Sequence, residues 1–153
     1  MTTSSIRGFK AVFTTIGVIY VLLASSWLVR GSSVLRAFGV PESLSSAPVL
    51  EDIFLFFYQF MAFVGVLTVL FGHVTRERRT QLLVASVFCV SNILWALRDL
   101  STSDSRFGNH LYKGDKTLLF VYMDLAVAAA FGYLIVSAFR VRSRASRNAL
   151  TSA

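Results

Sequence analysis

The chain has 153 residues, a formal net charge of +7, 55% hydrophobic residues and only 15% charged ones. A soluble domain carries about 25% charged residues, so an ordinary water-facing surface is excluded, and 14% aromatic content excludes a disordered chain. One cysteine, Cys89, excludes an internal disulfide framework and any multi-cysteine metal site.

The remaining class is a small integral membrane protein, all-α, with residues 1–153 forming a single transmembrane domain. A bilayer core needs about 20 apolar helical residues. The first such stretch is 11–29, free of charge. Arg7 and Lys10 before it, with Ala24-Ser25-Ser26 near its end, mimic a signal peptide. Its apolar run exceeds the 7–15 residues of an h-region, so it reads as a retained span. A long loop follows, from Arg30 to Asp52. Within it, Pro41 and Glu42 suit the first turn of a short interfacial helix, and Pro48 suits an early start of the next span.

The second span is 53–72, also uncharged, and a short basic turn from His73 to Gln81 leads to the third, 82–97. A second long loop, Arg98 to Lys116, precedes the fourth span, 117–139, which holds one charge, Asp124. A basic tail, 140–153, closes the chain. No Asn-x-Ser/Thr sequon occurs, so the loops are expected to be unglycosylated.

Four spans put both termini and the short turn on one side. That side carries Arg7, Lys10, Arg76, Arg78, Arg79, Arg140, Arg142, Arg144 and Arg147; the long-loop side carries Arg30, Arg36, Arg98, Arg106, Lys113 and Lys116. The excess of Lys and Arg predicts cytoplasmic termini and lumenal or external loops. The membrane would be that of the endoplasmic reticulum in a eukaryote, or the plasma membrane in a bacterium. The basic tail reads as a stop-transfer anchor on anionic lipid rather than a nucleic-acid arm, because no base-stacking platform accompanies it. Partners are therefore the lipid bilayer, a lipophilic small molecule, and a membrane protein partner or further copies of the chain.

Small residues are expected at helix contacts: Gly17 and Ala24 in the first span, Ala62, Gly65 and Gly72 in the second, Ala128 and Gly132 in the fourth. Phe is abundant, crowding the second span at Phe54, Phe56, Phe57, Phe60 and Phe63. Such density suits lipid-facing or interhelical filling, or the wall of a pocket for a flat apolar ligand.

Three polar side chains sit deep in the spans: Gln59, Asn92 and Asp124. Counting from the loop side at 1.5 Å per residue, each lies roughly 10–12 Å below the same membrane face. Intramembrane polar groups mark a site or an interhelical hydrogen bond. Asn92, Trp95 and Asp99 share helical spacing, as do Asp52, Phe56 and Gln59, and Lys116, Phe120 and Asp124. Tyr58 and Tyr122 lie at similar depth. The pattern predicts a half-depth polar pocket opening toward Glu51, Arg98, Asp99 and His110. There Asp124 either pairs with Arg98, Lys113 or Lys116, or stays protonated. The structural alternative is an ordinary interhelical hydrogen bond for each amide and an interfacial anchor for Arg98–Asp99.

A protonated carboxylic acid in a dry pocket is a general acid. The first functional expectation is a cofactor-independent membrane cyclase or isomerase acting on an isoprenoid or polyketide-like substrate. Asp124 would be the acid, with Asp99 or Glu51 the partner base. Gln59, Asn92, Trp95, Tyr58, Tyr122 and Arg98 would bind substrate, Trp95 by cation–π attraction. A cofactor-free oxygenase is a variant of this reading. No metal or cofactor is expected: only His73 and His110 are present, on opposite sides, and there is no Walker loop, GxSxG or HExxH. The second expectation is a non-catalytic accessory or assembly subunit, or a lipid-binding scaffold. The third is an oligomeric transporter or channel.

Gly17, the turn Phe38-Gly39-Val40-Pro41 and the Gly65/Gly72 pair resemble the small four-helix membrane proteins of the DoxX-like type. This resemblance covers the first half of the chain. It implies a four-helix bundle and, the group being functionally mixed, no catalytic residue. In length and span count alone the chain is similar to small membrane proteins of polyketide and terpenoid pathways, including anthrone-oxidase-like ones.

Overall fold

A computed structural model describes residues 5–37, 40–102 and 115–151. The elements are α1 (Phe9–Arg30), α2 (Ser33–Ala37), α3 (Glu42–Ser45), α4 (Pro48–Val74), α5 (Arg78–Thr102) and α6 (Asp115–Thr151). Four of them are long and apolar enough to cross a membrane, as Phe9–Arg30, Pro48–Val74, Arg78–Ser101 and Leu118–Arg140. Helices suit that setting because each satisfies its own backbone hydrogen bonds without water. Hydroxyls inside the spans do the same locally: Ser25 donates to the Val21 carbonyl at 2.7 Å, and Thr68 to that of Val64 at 2.7 Å.

Helix ends follow their sequence signals. Gly31 stops α1 with φ of 52°, a conformation that disfavours a side chain, and its N–H bonds the Trp27 carbonyl at 2.8 Å. Pro48 opens α4 in its first turn, and Glu42 opens α3. The one-turn helix α2 carries no comparable signal; it forms where Val34 and Leu35 are buried against the end of α1.

The spans pack as two close antiparallel pairs, α1 with α4 and α5 with α6. In the first pair Gly17 meets Gly65, and Gly72 meets Phe13 near Lys10. At the other end Trp27 stacks on Tyr58, with centroids 5.0 Å apart. In the second pair the Cys89 thiol donates to the Ala128 carbonyl at 3.4 Å, and Arg78 donates to that of Ala138. The expected small-residue contacts at Gly17, Gly65, Gly72 and Ala128 thus occur at helix crossings.

Large rings join the two pairs. Phe88 of α5 lies 5.5 Å from Phe13 of α1, 5.1 Å from Phe131 of α6 and 6.4 Å from Phe71 of α4. Phe13 and Phe131 are fully buried, with Phe9, Ala85 and Leu134 around them. A second cluster, Ala24, Trp27, Val34, Leu35, Val40 and Tyr58, ties α1 and α4 to the short helices.

One buried amide clamps the chain's beginning to the α4–α5 turn. Gln81, 2% exposed, accepts from the Ile6 N–H at 2.8 Å and donates to the Thr75 carbonyl at 2.9 Å and to the Ser5 hydroxyl at 2.8 Å. Residues 5 and 6, the turn at 75–77 and the end of the fourth span therefore share one end of the bundle. The end of α1, the helices α2 and α3, and the start of α4 occupy the other.

Candidate functional site

α1 and α5 run in the same direction: Ile6, just before α1, meets Gln81, Phe13 meets Phe88, and Tyr20 meets Asn92. α6 runs against both, with Phe131 5.0 Å from Phe13. One heptad onward from that pair stand Tyr20 on α1 and Asp124 on α6, so both reach the level of Asn92.

The Tyr20 hydroxyl donates to Asn92 Oδ1 at 3.2 Å, and Asn92 Nδ2 donates to the Phe88 carbonyl at 2.8 Å. Asn92 is 6% exposed, so both bonds replace water the bilayer would not provide. Asp124 is half-buried, within electrostatic reach of Tyr20 and of Asp99. Asp99, also half-buried, accepts from Arg98 Nη1 at 3.2 Å, and the Arg98 guanidinium lies 5.0 Å from the Trp95 ring centroid. The result is a polar column in α1, α5 and α6: Tyr20 and Asn92 inside, Asp124 beside them, then Asp99 with its partner Arg98 toward the end of α5.

Not every expected residue joins this column. Gln59 is exposed, and so are Glu51, Asp52 and Phe56. The packed face of α4 runs through Tyr58, Gly65, Thr68 and Gly72. Helical geometry turns Gln59 about 100° from Tyr58 and off that face. Tyr58 is buried against Trp27 in the α1–α4 contact rather than beside Asn92. Tyr122 is 64% exposed and Trp95 47% exposed. The inward face of α5 runs through Ala85, Cys89, Asn92 and Ala96, leaving Trp95 to one side. Arg98 reaches the column only through Asp99. Lys113 and His110, and with them Phe38 and Gly39 of the loop turn, lie outside the described residues.

Tyr20 in this column, and Gln81 at the opposite end of the bundle, are polar residues not evident from charged and amide groups within the spans. Tyr20 had a detectable signal: Phe13, Tyr20 and Trp27 repeat every seven residues along α1, marking one aromatic seam. An open cleft of about 670 Å³ lies elsewhere, at the N-terminal end of α1, lined by Phe9, Lys10, Thr14 and His73 among others. Thr14 and His73 are hydrogen-bonded there at 3.3 Å.

No family model, characterised protein or solved structure matches the chain.

Proposed function

We propose that the chain is a membrane-embedded enzyme that uses Asp124 for acid/base chemistry on a lipophilic, isoprenoid or polyketide-like substrate, by cyclisation or isomerisation. The observation that supports this is the half-buried Asp124 beside the internal Tyr20–Asn92 hydrogen bond, in an otherwise apolar bundle. A carboxyl group at such a level is costly unless it has a task or a partner. In this reading Asp124 delivers a proton to an alkene, epoxide or carbonyl. Asn92 and Tyr20 orient the acceptor. Asp99, held by Arg98, removes a proton from another carbon, so the substrate rearranges without change of composition. The excess of Lys and Arg at the end bearing the termini supports cytoplasmic termini and a site reached from the opposite side.

The test is a comparison of full-length protein with Asp124→Asn and Asp124→Leu, purified in native lipid discs and extracted for bound small molecules by mass spectrometry. The reading expects Asp124→Asn to fold, to retain an unreacted lipophilic compound and to form none of the rearranged product. Equal loss of folded protein in both variants would make Asp124 a structural residue.

A further inference from the structure

The polar column leaves one deep polar side chain of α4 unabsorbed. Gln59 stands well inside the Pro48–Val74 span and is exposed. On a helical wheel it lies about 120° from Gly65, which faces α1, and about 120° from Phe71, which faces α5. It therefore points away from the α1 and α5 contacts of α4, toward lipid. Hydrocarbon provides no hydrogen bonds, and an amide there finds a partner on another helix.

The residues sharing its face form a second seam. Phe56, Gln59, Phe63, Val66 and Leu70 alternate steps of three and four, the heptad spacing of a helix–helix contact, and all five are exposed. α4 carries another such seam, Tyr58, Gly65, Thr68 and Gly72, which is buried within the chain. The outer one has the same geometry and no occupant among the described residues.

We propose that this outer seam of α4 is a dimer interface whose occupant is the α4 of a second copy of the chain, with Gln59 paired to Gln59 across the two-fold axis. Two copies inserted in one orientation are related by an axis along the bilayer normal, so every residue on that axis meets its own counterpart at equal depth. Self-contact requires a group that is its own complement. A carboxylate or an ammonium is not, whereas an amide both donates and accepts, and Gln59 is the residue found there. No charged residue falls between Phe56 and Leu70, so no like charges are brought together along the contact. Asp52 lies farther out on the same stripe, where helices crossing at about 20° diverge toward the headgroups. A single polar position in an apolar heptad seam sets register and copy number. This interface is separate from the chemistry proposed for Asp124, and either stands without the other.

The test uses the full-length chain with Cys89→Ser in phosphatidylcholine vesicles. Mild oxidation of a Val66→Cys variant in that background is expected to yield a disulfide-linked dimer, and Tyr133→Cys, equally outward on α6, is expected to yield none. Energy transfer between donor- and acceptor-labelled copies, followed on dilution with lipid, is expected to give a dissociation constant that Gln59→Leu raises roughly three- to thirtyfold. Gln59→Asn, which keeps both donor and acceptor, is expected to stay near the parent value. Monomers at every lipid ratio, cross-linking at Tyr133 equal to that at Val66, or unaltered association of a folded Gln59→Leu would overturn the proposal. So would native-membrane cross-linking from Val66 to a different chain with no self-adduct. Should Gln59→Leu fail to fold, the Val66 and Tyr133 adducts decide.

Discussion

Gly17 and Gly65 meet backbone to backbone: a Cβ on Gly17 would lie 2.6 Å from the Gly65 carbonyl oxygen, and one on Gly65 would lie 2.8 Å from that of Gly17. Neither atom belongs to a side chain that can swing aside. Inside lipid, where burial of apolar surface drives no association, this close approach is what lets α1 and α4 gain dispersion along their length.

Gly17→Ala is therefore expected to destabilise the bundle by about 1–3 kcal/mol, because the helices must separate. Gly132→Ala is expected to do the opposite. Its Cβ would meet only Cys89 Sγ at 3.9 Å, an ordinary contact, and removing a helical glycine gains about 0.5–1 kcal/mol. Denaturant or thermal unfolding of both variants in one detergent measures the difference in sign.

Gln81→Leu is expected to cost about 1–3 kcal/mol, since it leaves the buried Ile6 N–H and Thr75 carbonyl without their present partner. The local readout is hydrogen exchange at the Ile6 amide. It should quicken markedly in the variant, while amides in the middle of α5 keep their protection.

The Tyr20–Asn92 bond is open to a double-mutant cycle with Tyr20→Phe and Asn92→Ala. Hydrogen bonds between transmembrane helices average about 0.6 kcal/mol, and a coupling near that value is expected. Zero coupling would mean that the 3.2 Å contact carries no energy.

Orientation is checked by impermeant thiol labelling in a Cys89→Ser background. Ser43→Cys and Arg76→Cys occupy opposite ends of the bundle at exposed positions. Excess Lys and Arg at the Arg76 end predicts that Ser43→Cys reacts from outside or from the lumen and Arg76→Cys from the cytoplasm. The reverse labelling would invert the membrane orientation.

The all-helical class and the positions of four spans could be read directly from residue order, because hydrocarbon permits so few backbone solutions that an uncharged run of sufficient length is nearly a structure in itself. Small residues at Gly17, Gly65 and Ala128 were legible for the same reason: only they allow close crossings. The start of α4 at Pro48 and the short helix that begins at Glu42, just after Pro41, were legible from local backbone geometry.

Facing was not legible. Depth along a span follows from counting only roughly: Asn92 meets Tyr20, whereas Tyr58, beside Gln59, meets Trp27, seven residues farther along α1. Which way each side chain points depends on which of several seams a helix turns toward its neighbours. α4 carries two seams of equal spacing, and the choice between them rests on the Gly65 contact with Gly17, a relation between residues far apart in the chain. That contact sends Tyr58 inward and Gln59 outward. The parallel register of α1 and α5 brings Tyr20, and not Gln59, to Asn92. Composition and order settle what must lie in the membrane; tertiary packing decides which polar groups meet and at what level, because rotation about a helix axis costs nothing until a second helix is in place.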